Sequence, residues 1–177
     1  MVLGEASRVA EARRTLNLLG GTLDPHAAWL LQRGIKTLGL RMQAMCRGAT
    51  HLARVLDEHP DVRRVLHPSL PQHPSYERAS EWFDLPGFML AFEVDGDARA
   101  AERVLEALEL PLVAPSLGGV ETLVTRPAVS SHASLSARER ASQGIDDGLI
   151  RVSVGIEDPD DLAADFVQAL SRWHDSR

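Results

Sequence analysis

The stretch GLIRVSVGIED, Gly148 to Asp158, sets an arginine in the middle of an otherwise apolar run. A strand sends successive side chains to opposite faces. Read as one strand, it gives Ile150, Val152, Val154 and Ile156 a shared dry face. Leu149, Arg151, Ser153 and Gly155 share the other, which offers a guanidinium, a hydroxyl and a position without a side chain. Two readings fit. Arg151 is either a solvated residue on a half-exposed strand, or a donor turned into a pocket where its planar fork matches a carboxylate.

Working outward, Asp146-Asp147-Gly148 turns the chain into this strand, and Asp158-Pro159 caps a last helix over 159–173. Upstream, Ser136 to Glu139 has the form of a capping box and starts a helix that closes at Gly144. Further strands are expected at 62–66, 87–94, 110–117 and 121–125, with helices near 75–81 and over 98–108. HPSLPQHPS (67–75), with its three prolines, reads as an ordered loop. Near the start, residues 5–19 form a helix stopped by Gly20-Gly21, and Asp24-Pro25 opens the next. Leu31, Ile35, Leu38, Met42, Met45, Ala49, Leu52 and Leu56 then draw an apolar stripe down one long helix. Alternating helices and short strands predict an α/β or α+β layer, a small sheet covered by helices.

The bulk numbers narrow the function. A chain of 177 residues that is 44% hydrophobic can hold one real core. A net charge of -6, with no basic run, argues against a nucleic-acid partner. No apolar stretch reaches membrane-spanning length. Cys46 is the only cysteine, which excludes a disulfide framework and suits a reducing cytoplasm. Of the 19 basic residues, only Lys36 is a lysine.

Several constellations carry little. The seven histidines lack paired metal spacing, and His67 and His73 read as exposed turn residues. Ser130, Ser131 and His132 are neighbours in sequence, which is not how a serine nucleophile meets its base. Ser116-Leu-Gly-Gly119 lacks the lysine of a phosphate-binding loop. Met42 and Met45 read as core, and Cys46 as a small buried filler. What remains is a pair: SLGG follows one strand and Arg151 sits inside another, so neighbouring strands would bring a hydroxyl and a guanidinium to one carboxylate.

Four segments carry a resemblance: LGGTLDPHAAWLLQRGIKTLGLRM (19–42), VLHPSLPQHPSYERA (65–79), SLGGVETLVTRPAVSSHASL (116–135) and GIDDGLIRVSVGIEDPDDLAADFVQAL (144–170). Together they resemble the C-terminal part of the pyridoxal-phosphate enzymes of cysteine and methionine metabolism, the transsulfuration family. That family includes cystathionine gamma-synthase, the cystathionine lyases, methionine gamma-lyase and the O-acetylhomoserine sulfhydrylases. The resemblance implies a piece of fold type I: residues 1–58 as the end of the large domain with a long connecting helix, and 59–177 as a C-terminal small domain with an antiparallel sheet. It implies that Arg151 binds the α-carboxylate of an amino-acid substrate and that Ser116 lies at the same carboxylate. The chemistry implied is β- or γ-elimination or replacement at a C–S or C–O bond.

Two positions depart from the pattern. Pro115 stands where some lyases of the family carry a glutamate facing the substrate, and Ser131 where a threonine often precedes the His-Ala-Ser triplet. Both leave the substrate subclass open. The family's Schiff-base lysine, the aspartate at the pyridine nitrogen, the stacking aromatic and the phosphate ligands all lie upstream of the matched region. Lys36 falls in the family's RGLKTL helix motif, where a solvated flank is expected, so the chain alone should not bind pyridoxal 5'-phosphate covalently. Three origins are compatible with this: half of a divided enzyme that needs a separate N-terminal half, a non-catalytic relic or scaffold, or an excised piece of a complete enzyme. The stripe from Leu31 to Leu56, without the domain it packs on, is expected to offer an interface of the kind buried in the family's dimers and tetramers.

Overall fold

The computed structural model describes residues 2–174 and divides into two compact units, one up to Gly39 and one from Leu40 onward. In the first, α1 (Ala6–Leu19) ends at Gly20, whose left-handed φ of 73° lets its N–H reach the Leu16 carbonyl. α2 (Pro25–Ile35) opens on Asp24, whose carboxylate accepts from the N–H groups of His26 and Ala27 at 2.9 and 3.1 Å. Neither helix buries a residue.

The apolar stripe does not run down one helix as its periodicity suggests. α2 stops at Ile35, and α3 spans Leu38–Asp57. Between them the Lys36 N–H bonds the Arg33 carbonyl and the Thr37 hydroxyl donates to the Gly34 carbonyl, so local bonds replace the helical ladder. Leu31, Ile35 and Leu38 are exposed, whereas Met45, Cys46, Ala49, Leu52, Ala53 and Leu56 are buried. The inward register therefore begins at Met45.

The second unit is built on a five-stranded sheet in the order β1-β2-β5-β4-β3. The strands are β1 (Val62–Leu66), β2 (Met89–Val94), β3 (Leu112–Val113), β4 (Leu123–Thr125) and β5 (Leu149–Ser153). The β1/β2, β2/β5 and β4/β5 pairs are antiparallel; β3 joins β4 in parallel and makes the sheet mixed at that edge. β3 is far shorter than the expected 110–117 strand. Its last sheet bond runs from the Ala114 N–H to the Val124 carbonyl, and Pro115 has no N–H to continue.

One face of the sheet carries the core. Leu90, Phe92, Val94, Val124, Ile150, Val152 and Val154 pack against α3, α5 (Ala98–Ala107) and α7 (Pro159–His174). Phe92 and Phe166 meet edge to face at 5.9 Å. The even-numbered side of the opening stretch is dry as expected up to Val154, but Ile156 is exposed because β5 ends at Ser153. α4 (Tyr76–Trp82) and α6 (Ala137–Ser142) complete the unit, and Ser136 and Glu139 form the capping box.

His67 is not an exposed turn residue. It is fully buried, with Ser69 Oγ 2.7 Å from Nδ1 and the Gly87 carbonyl 3.2 Å from Nε2, and His73 is half-buried. Ser69 of the proline-rich loop and the Gly87 carbonyl ahead of β2 give both ring nitrogens of His67 a partner.

Candidate functional site

β5 is the middle strand, so Arg151 is held by pairing on both sides, opposite Ala91 of β2 and Thr125 of β4. Directly opposed residues share a face. That face is only partly covered: Leu149 and Ser153 are buried, while Arg151 and Ala91 are half-buried. The chain leaves β3 at Ala114, passes through Ser116-Leu-Gly-Gly119 and returns to the sheet at β4, which brings it back alongside β5.

Arg151 and this loop meet directly. Arg151 Nη2 donates to the carbonyls of Pro115 and Ser116 at 2.8 and 2.9 Å, while its Nε is buried without a hydrogen-bond partner. The loop thus fixes the guanidinium plane and leaves Nε unspent. Ser116 comes to Arg151 through its main chain, and the residue itself is exposed. No carboxylate pairs with Arg151 among the described residues. Of the three acids near it in sequence, Asp147 pairs with Arg140 at 2.8 Å, Asp146 accepts from the Gly148 N–H, and Glu157 accepts from Thr122.

The loop is held at further points. Gly118, at a φ of 78°, donates its N–H to Ser153 Oγ at 3.0 Å. The Val120 carbonyl accepts from Ile156 N–H at 2.8 Å. Thr122 Oγ1 donates to Glu157 and accepts from the Gly155 N–H at 2.9 Å. A Cβ on Gly155 would stand 2.2 Å from the Val120 carbonyl oxygen, so the empty position in the opening stretch admits the loop's backbone. Sequence reading placed Ser153 and Gly155 beside Arg151 but did not assign them to the loop. Their spacing in steps of two was the available signal.

A second arginine escaped sequence reading altogether. Arg126, 4% exposed, pairs with Glu102 through Nη1 and donates Nε and Nη2 to the Asp147 carbonyl at 3.2 and 3.0 Å. Nothing local in VTRPAV marks it. The contrast is chemical: every nitrogen of Arg126 is engaged and its charge is matched, whereas Arg151 has neither a carboxylate nor a partner for Nε. Arg126 is fully engaged within the chain, and Arg151 is not.

The other sequence candidates stay apart. Ser131 Oγ lies 2.8 Å from His132 Nδ1 on an exposed turn, but no carboxylate orients His132 among the described residues. Cys46 is buried in α3, where burial pushes its thiol up and a Gly87 backbone hydrogen bond partly opposes this. Lys36 is exposed at the end of α2. Among the described residues there is no cluster able to hold a metal ion, and no helix is long and apolar enough to cross a membrane.

The sequence and fold have close counterparts. Over 169 residues the chain is 44% identical to the chloroplastic cystathionine gamma-synthase 1 of Nicotiana tabacum, covering 96% of this chain and 31% of that protein. Over 154 residues it is 47% identical to an L-methionine gamma-lyase of Pseudomonas deceptionensis, covering 87% and 39%. The crystal structure of cystathionine gamma synthase from Xanthomonas oryzae pv. oryzae in complex with cystathionine superposes with a TM-score of 0.93 at 36% identity, over 99% of this chain and 46% of that one. The chain therefore spans less than half the length of these relatives. Its fold is that of a segment of the fold type I enzymes, and with the family model for the Cys/Met metabolism PLP-dependent enzymes matching residues 1–171, the chain belongs to that family.

Proposed function

We infer that the chain supplies the substrate α-carboxylate site of a transsulfuration-type enzyme. Arg151 is its clamp and Ser116 lies beside it. The observation that carries this reading is the state of Arg151: buried at Nε without a partner, unmatched by any described carboxylate, and oriented by two carbonyls of the loop that bears Ser116. A charge-assisted contact to a carboxylate uses binding energy to orient the substrate's reacting bonds. The reaction is β- or γ-elimination or replacement at a C–S or C–O bond of a sulfur amino acid or an activated homoserine.

Pyridoxal phosphate supplies electron withdrawal to this family's chemistry, but the residues present do not fit it. Covalent attachment needs a lysine amine, and the one lysine, Lys36, is exposed at a helix end in the first unit. In the family the lysine and the cofactor's other contacts lie upstream of the region matched here, so this chain acts together with that region. A second reading, a non-catalytic relic or interaction module of the same fold, is favoured by α1 and α2, which leave Leu16, Leu19, Trp29, Leu31 and Ile35 exposed.

Mixing the chain with pyridoxal phosphate, with and without an N-terminal half from a family member, separates these readings. Absorbance of bound cofactor and C–S cleavage are expected only in the complete mixture. Arg151→Lys, which replaces a planar fork with a point charge, is expected to raise KM at least about tenfold. Turnover that is indifferent to Arg151→Ala would overturn the clamp, and a complete mixture that binds no cofactor would favour the relic.

A further inference from the structure

Arg151 is the first of four residues, spaced by two along the chain, that touch the loop from Pro115 to Thr122. Ser153 accepts from the Gly118 N–H at 3.0 Å. Gly155 lies against the main chain of Val120 and Glu121. The Glu157 carboxylate takes both the N–H and the hydroxyl of Thr122, the latter at 2.8 Å. Ser153 is fully buried, and a buried hydroxyl is costly without a partner; the loop provides it. The segment so held contains two adjacent glycines, Gly118 and Gly119, the residue type that loses most backbone freedom on ordering.

We propose that Ser153 and Glu157 are positioning residues that fix the Pro115–Thr122 loop, so that Ser116 and the Arg151 guanidinium face one carboxylate at a set spacing. Neither residue contacts the anion in this arrangement. Ser153 acts two residues beyond Ser116, and Glu157 anchors the point where the loop re-enters the sheet. The inference rests on the reading of Arg151 as a carboxylate clamp.

The test is an acetate titration of the full 177-residue chain, read at the Arg151 Nε–H resonance. That proton is buried, which slows its exchange with water and keeps it observable. Wild type is expected to saturate. Ser153→Ala is expected to weaken acetate about fivefold, the scale of one lost hydrogen bond, and Glu157→Ala, which removes two, at least as much. Glu157→Gln, which keeps an acceptor for the Thr122 N–H, should fall between wild type and Glu157→Ala. The constant is measured on folded protein, so a variant that had merely lost stability would retain the wild-type value. If Ser153→Ala does not fold, the Glu157 pair decides. Unchanged acetate constants in the variants would overturn the positioning role and leave the clamp intact. No acetate response in wild type would overturn the clamp and this inference with it.

Discussion

Two arginines on one small sheet show what the sequence can and cannot mark at the scale of single residues. Arg151 stands out because it interrupts an apolar alternation, and parity alone puts Ser153 and Gly155 on its side. Arg126 does not stand out, because its partners, Glu102 and the Asp147 carbonyl, are distant in sequence. The burial of His67 is hidden for the same reason: a proline-rich loop looks like surface, and only the fold brings the Gly87 carbonyl to its ring. Burial holds the His67 ring below its ordinary pKa, a backbone hydrogen bond to Gly87 opposes this, and the charge of His73 adds to the lowering. The fold thus favours neutral His67. That stabilisation is complete above about pH 6.5, is lost as pH falls through the unfolded value, and levels off once the folded ring also protonates. The urea midpoint of wild type is expected to drop between pH 7.5 and 5 more steeply than that of His67→Gln. Parallel profiles would assign the pH sensitivity elsewhere.

Whole elements were legible where local chemistry closes them. Gly20, Asp24 and the Ser136–Glu139 box end or begin helices as their side chains and backbones require. The sequence overran where an apolar stripe continued past a break in the backbone, at Lys36-Thr37, and where Pro115 cut a strand short. In α7, Leu162, Ala163, Phe166, Ala169 and Leu170 are all buried in the core. Phe166→Ala removes the ring that meets Phe92 and should cost about 3–5 kcal/mol in denaturant unfolding. Gly155→Ala tests a different contact. Its methyl group would displace the main chain of Val120, so a fall in stability should come with altered amide shifts from Pro115 to Thr122. Shifts confined to residues 153–157 would contradict that coupling.

At the scale of the whole molecule, the core and the candidate site belong to the unit that begins at Leu40. α1 and α2 have 14 and 11 residues and bury none, and helices of that length are marginal in water without packing. Amide exchange on the full chain should therefore show strong protection only after residue 40, with α1 and α2 gaining protection when an N-terminal half is added. Protection of α1 equal to that of β5 in the chain alone would contradict this. Lys36, alone on its exposed helix end, has a practical corollary. Any aldehyde that meets this polypeptide finds one side-chain amine, so borohydride trapping can add at most a single mass increment away from the amino terminus. Mass spectrometry of a trapped two-part mixture would then show directly which polypeptide carries the adduct.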